Sequence, residues 1–177
     1  MKFTSQQIPE VINNYNVYNG DGNRMVGITG ATQIADLVAK LTEISGAGVA
    51  GTYNAVVIGH FDSSTQTINF RAVTQEGMTD LAPGKNVRLN LRGDLQYTDT
   101  ATNETGHVGV RFVVGGQVKQ FSPGNLEAGN MMGGSAQVEL TYILWEFDGN
   151  PCIELDKKNN VYRVDGKDLL EAVRKNC

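Results

Sequence analysis

Ser135-Ala-Gln-Val-Glu-Leu-Thr-Tyr-Ile-Leu-Trp-Glu-Phe147 alternates apolar and polar side chains. Ala136, Val138, Leu140, Tyr142 and Leu144 fall on one face, with Gln137, Glu139 and Thr141 opposite. Period two marks a strand with one buried side. The same period recurs in Asn86–Gln96, with Val87, Leu89 and Leu91 inward and Arg88, Asn90 and Arg92 outward. Thr67–Val73 and Gly106–Phe121 follow it through Ile68 and Phe70, and through Val108, Val110, Phe112 and Val114. Tyr53–Phe61 is apolar on both sides, so it is expected to be covered on both. Pro151–Val164 reads as two short strands around Asp156-Lys157-Lys158-Asn159-Asn160.

Glycine, asparagine and aspartate punctuate these runs at strand-like intervals, as in Asn19–Asn23, Pro83–Asn86 and Asp148–Pro151. Many short strands with few helices describe a sandwich or a barrel. Helix signals are limited to a turn near Thr79–Leu81 and a C-terminal helix over Gly166–Lys175, with Leu169, Leu170 and Val173 on one side. Leu37, Leu41 and Ile44 have helical spacing within Ala35–Ser45, yet no capping box opens that segment and a glycine-rich loop follows at once. Residue preference leans to helix there without deciding it. No repeat or linker divides the 177 residues, so a single domain, 1–177, is expected.

Fifteen basic and 19 acidic side chains leave a formal charge of −4, which offers no excess positive field for gripping nucleic acid. Two cysteines, Cys152 and Cys177, do not make a disulfide framework, and no apolar run approaches membrane-spanning length. A soluble protein made in the cytoplasm is the expectation, without a membrane partner.

Catalytic constellations are not found. Gly46-Ala-Gly-Val-Ala-Gly51 has the spacing of a dinucleotide fingerprint, but a strand follows it where a helix N-terminus should face the pyrophosphate. His60 reads as a core histidine in a doubly covered strand, and a zinc site would need His60, His107 and Cys152 to converge without any short ligand spacing. No Gly-x-Ser-x-Gly elbow exists, and the acidic residues Glu139, Glu154 and Asp156 read as solvated positions on strand faces. No catalytic residue, metal ligand or cofactor is therefore assigned. Tyr142, Leu144, Trp145 and Ile153 are candidates for the core or for a sheet contact between subunits. Two readings of a different class stay in view: a β-barrel holding an apolar ligand against Phe70, Leu89 and Phe112, and a hydrolase whose site leaves no pattern.

The segment Ile8-Pro-Glu-Val-Ile-Asn-Asn-Tyr-Asn-Val-Tyr-Asn-Gly-Asp-Gly-Asn23 resembles the start of the major tail tube proteins of contractile-tailed phages. In those a proline, an asparagine–aromatic–asparagine triplet and a glycine/aspartate turn precede the first long strand. Val138–Leu144, Asp148-Gly149, Ile153–Asp156 and Val161–Leu170 are similar to the family's closing pattern, whose usual end Arg174–Cys177 overruns. Gly46–Gly51 takes the place of its glycine-rich loop.

This resemblance implies a mainly β, sandwich- or barrel-like tail-tube fold with one or two short helices. It implies an N-terminal arm over about 1–16, an extended hairpin over about 33–55 and a short C-terminal helix over about 166–175. Copies would join as homo-hexameric rings, stacked into the tube of a virion and assembled in the host cytoplasm. Sheath, baseplate and tail-terminator proteins would be partners, and double-stranded DNA would pass without specific binding. A tail-like bacteriocin or a secretion-type contractile system would use the same part. Leu41, Ile44, Gly46, Ala47, Gly48, Val49, Gly51, Asn14, Tyr15 and Asn16 are the inter-ring contact candidates so implied.

Overall fold

In the computed structural model, which describes residues 3–177, the alternation of Asn86–Gln96 lies in a long strand that runs on to Asp99 and pairs antiparallel on both sides. In chain order the strands are β1 (Gln7–Tyr18), β2 (Ala39–Ile44), β3 (Tyr53–Phe61), β4 (Thr65–Phe70), β5 (Asn86–Asp99), β6 (Glu104–Ser122), β7 (Gly134–Phe147), β8 (Asn150–Asp156), β9 (Val161–Val164) and β10 (Lys167–Asp168). Two short helices, α1 (Gln75–Asp80) and α2 (Glu171–Asn176), complete a mainly β fold.

An eight-stranded antiparallel sheet has the order β1-β5-β6-β7-β8-β9-β10, with β4 pairing β7 beyond the end of β8. β2 and β3 form a separate two-stranded hairpin. One face of the large sheet carries Leu89, Leu91, Val114, Ile143 and Leu155, all buried. Met25, Ile28, Ile34, Ala35, Leu37 and Leu81 pack in the same core, so the chain between β1 and β2, together with the end of α1, covers that face. Apolar burial of this kind contributes about 1.5–3 kcal/mol for each large side chain. Among the described residues no helix is long and apolar enough to cross a membrane.

The alternation along β7 changes phase. Ala136, Val138 and Leu140 are buried as expected, but Ile143 takes the core place that simple alternation gives to Tyr142 and Leu144. Tyr142 pairs with Gly115 while Leu140 pairs with Gly116, leaving Thr141 as an extra residue in a bulge. One inserted residue exchanges the two faces downstream of it. Gly116 makes the bulge possible, because a Cβ there would overlap the Glu139 carbonyl oxygen.

β3 is the larger departure. Val56 is 59% exposed and Ile58 is 62% exposed, so one face of this strand is bare instead of buried. His60 is likewise exposed and is not a core histidine. The region leaning to helix, Ala35–Ser45, instead leads through an irregular stretch into β2. Pairing with β3 outweighs the local preference.

The first helix starts before the expected turn, because Thr74 Oγ1 accepts from Gly77 N at 3.1 Å and caps it. At the other end, α2 covers Glu171–Asn176, with Leu170 buried and Leu169 and Val173 exposed. The Asn14-Tyr15-Asn16 triplet lies within the first long strand and does not precede it.

Candidate assembly interface

Among the described residues two features stand out as incompletely covered. The first is β1, which ends the sheet and pairs only with β5 over most of its length. Its C-terminal end is closed, with Met25 N donating to Val17 O at 2.8 Å and Tyr18 bridging Arg24. Upstream of that closure Ile8, Val11 and Ile12 are exposed. Their register with β5 breaks between Pro9 and Val11 and again between Ile12 and Asn14. Glu10 is held by Gln96 Nε2 at 2.8 Å and Thr98 Oγ1 at 2.8 Å, and these donors lower its pKa. Asp94 accepts from Asn13 Nδ2 at 2.9 Å and lies 2.8 Å from His107 Nδ1, and its pKa is lowered by both. Side chains therefore fasten this border to β5 from both strands.

The second is the β2–β3 hairpin. Leu41, Tyr53, Val56 and Ile58 are each more than half exposed on it. Its tip holds Gly46, Ala47, Gly48, Val49 and Gly51, all exposed, with Ile44 half-buried at the end of β2. Gly46, Gly48 and Gly51 have φ of 134°, 86° and 113°, a backbone that L side chains rarely adopt. Val49 N donates to Gly46 O at 3.1 Å inside that turn. The glycines thus serve a tight hairpin tip, and strand β3 follows them where a nucleotide site would need a helix.

The remaining candidates divide. Asn14 is exposed on β1, whereas the Tyr15 hydroxyl donates to Thr29 O at 2.7 Å and lies 2.9 Å from Thr32 Oγ1, so its polar end is used internally. Asn16, partly buried, is in register with Arg92. Trp145 packs against the core edge-on to Phe112, with ring centroids 6.4 Å apart, and is in register with Ile153. Tyr142 and Leu144 lie on the opposite face of the sheet.

That opposite face is charged and self-satisfied. Arg111 Nη1 donates to Glu146 Oε2 at 2.6 Å and its Nε to Asn90 Oδ1 at 3.2 Å. Arg163 Nη1 donates to Glu154 Oε2 at 2.7 Å. The Arg88 and Arg92 guanidinium carbons each sit 4.9 Å from the ring centroids of Tyr142 and Tyr18. Burial pushes the Tyr142 phenol up, and Glu154 adds to the shift. Alternation marked these arginines as outward, but it carried no signal of their acid and aromatic partners.

His60, His107 and Cys152 lie on β3, β6 and β8, and among the described residues no group of three or more His, Cys, Asp or Glu could hold a metal ion. Phe70 and Leu89 are packed in the core. Phe112 borders an open groove of about 740 Å³ between β1 and residues 24–34.

Comparison with known proteins identifies a family. The family described as phage tail tube protein FII matches residues 9–177. The match reaches Cys177, so Arg174–Cys177 lies inside the family's length and does not overrun it. The tail tube protein of Escherichia phage P2 is 26% identical over 159 residues, covering 88% of this chain and 90% of that protein.

Proposed function

We propose that this chain, which belongs to the phage tail tube protein FII family, closes into hexameric rings that stack into the inner tube of a contractile phage tail. The tube would stand within the sheath, between baseplate and terminator, and would carry the genome during ejection. Shape and self-contact are the activity, and no chemical step is assigned to it.

The bare apolar face of the hairpin is the observation that carries this reading. Among the described residues Leu41, Val56 and Ile58 are each more than half exposed on that face, and Tyr53 is more than half exposed on the other. Covering the exposed part of each contributes about 1 kcal/mol, or several per hairpin. A lone copy would lose all of that to rigid-body freedom, which costs about 4 kcal/mol or more. A closed ring meets that cost once while engaging every hairpin, so rings stack where monomers do not. The open border of β1 suits lateral closure, because a rotationally repeated contact removes exposed strand edges.

The charged face suits passage of a duplex. The opposite face is occupied by the core, which leaves this one for a channel wall. Glu146 and Glu154 neutralise Arg111 and Arg163, and Arg88 and Arg92 rest over the Tyr142 and Tyr18 rings, which leaves less positive charge to hold phosphates.

Deleting residues 47–50 at the hairpin tip tests the stacking role. Electron microscopy of the purified variant is expected to show rings without tubes. Long tubes of the variant would overturn the assignment.

A further inference from the structure

Gln66 is 0% exposed on β4, and its amide is bonded at both ends. Its Oε1 accepts from Ala35 N at 3.1 Å, and its Nε2 donates to Gln33 O at 2.7 Å and Thr67 O at 2.9 Å. Two residues earlier, Ser64 Oγ donates to Asp36 O at 2.6 Å, and Asp62 N donates to Val38 O at 2.9 Å. The chain entering β2 is thereby stitched at residues 33, 35, 36 and 38 to the chain leaving β3. Lys157 Nζ donates to Asp62 O at 2.8 Å and ties this root to the turn after β8.

Beyond the root the hairpin bends. Ala39 pairs with Phe61 and Leu41 with Val56, so Val57, Ile58, Gly59 and His60 stand opposite Lys40 alone. Gly59 has φ of 78°, and a Cβ on it would overlap the Leu170 side chain. Leu170 is buried, and its amide donates to Asp168 Oδ1 at 3.0 Å. Arg174 Nη2 in turn donates to Asp168 Oδ2 at 2.6 Å. Phe61 meets Tyr162 edge-on with centroids 4.9 Å apart. The C-terminal segment therefore buttresses the bend from one side while Gln66 grips the root from the other.

We infer that Gln66 and Leu170 are positioning residues that set the angle at which the β2–β3 hairpin leaves the sheet. A buried amide has fixed directions for its donor and acceptor, so it specifies one placement of residues 33–36. Leu170 fills the space that Gly59 leaves and stops the bulge from straightening. For assembly, the inference rests on the hairpin being the ring-to-ring contact; for the hairpin's angle it does not. An arm that holds the stacking angle about a tenth of the time loses about tenfold in apparent affinity.

The test uses the full chain with Cys152→Ser and Cys177→Ser, and spin labels on Ala47→Cys and Gln120→Cys. Pulsed dipolar spectroscopy under non-assembling conditions reads the tip-to-body distance in this background, in Gln66→Leu and in Leu170→Ala. Both variants are expected to broaden the distance distribution about twofold, with unchanged far-ultraviolet circular dichroism. Without labels, each is expected to raise the critical concentration for tubes about tenfold. If Gln66→Leu does not fold, Leu170→Ala supplies the same two readings. A distribution as narrow as the background in the folded variants overturns the inference. Tubes from the 47–50 deletion would overturn only the stacking role, since the distance measurement still decides the hairpin's angle.

Discussion

Arg111 reaches across from β6 to Glu146 on β7, Nη1 to Oε2 at 2.6 Å, with the glutamate side chain 9% exposed and the arginine 42%. The buried partner is the acid, so the acid determines whether the cation on this face is spoken for. Glu146→Gln keeps the shape and removes the charge. It is expected to lower stability by about 1–2 kcal/mol in chemical denaturation, a modest loss because the arginine remains half-hydrated. Assembled Glu146→Gln/Glu154→Gln tubes should retain short duplex DNA in sedimentation at low salt and release it as salt rises. Unchanged DNA retention would count against this face as the channel wall.

Acid should loosen the β1 border ahead of the core. Glu10 and Asp94 both have lowered pKa values in the folded chain, so the stability they contribute is full above the ordinary carboxylate range. It is lost as pH falls below that range and through the lowered folded values, when the folded carboxylates take up protons. Hydrogen exchange at pH 3.5 is expected to show Gln7–Asn14 opening while Leu89, Leu91 and Ile143 stay protected. Glu10→Gln should show the same opening at neutral pH.

Hairpin contacts should be separable from folding. Val56→Ser/Ile58→Ser removes apolar surface that is already hydrated in the single chain, so its melting free energy should change by less than about 0.5 kcal/mol per site. Light scattering should nevertheless show tube growth suppressed at concentrations where the parent polymerises. A parallel loss of stability would mean that these residues are covered within the chain.

Gly116→Ala tests the bulge. A methyl group there meets the Glu139 carbonyl, which belongs to backbone and cannot swing away. We expect a loss of about 3 kcal/mol in thermal or urea unfolding, the scale of an overpacked interior. Gly109→Ala is the control, because a Cβ at that glycine meets nothing.

Periodicity revealed most of the large sheet and little of its surroundings. Leu89 and Leu91 were legible as core because β5 keeps its phase between its partners. Ile143 was not, since a bulge adds one residue without leaving a residue type that names it. Strand β3 shows a different limit: apolar side chains on both sides look alike whether two layers cover them or one side awaits another molecule. The glycine-rich tip was legible at Gly46–Gly51, and the resemblance supplied its place in an extended hairpin. Gln66 is not legible, because a glutamine in an alternating strand carries no mark of the backbone groups it will hold 31 and 33 residues upstream.

The breaks in register along Gln7–Tyr18 also bear on fidelity. A straight foreign strand meets evenly spaced donors and acceptors on an ordinary sheet margin and can zip along it. Here Pro9 supplies no donor, and the spacing falters twice within a few residues, so a stranger runs out of matching groups almost at once. Only a mate with the complementary irregularity can continue. In the proposed ring the crookedness of that margin would act as a password, keeping crowded copies from sticking at random before each finds its proper neighbour.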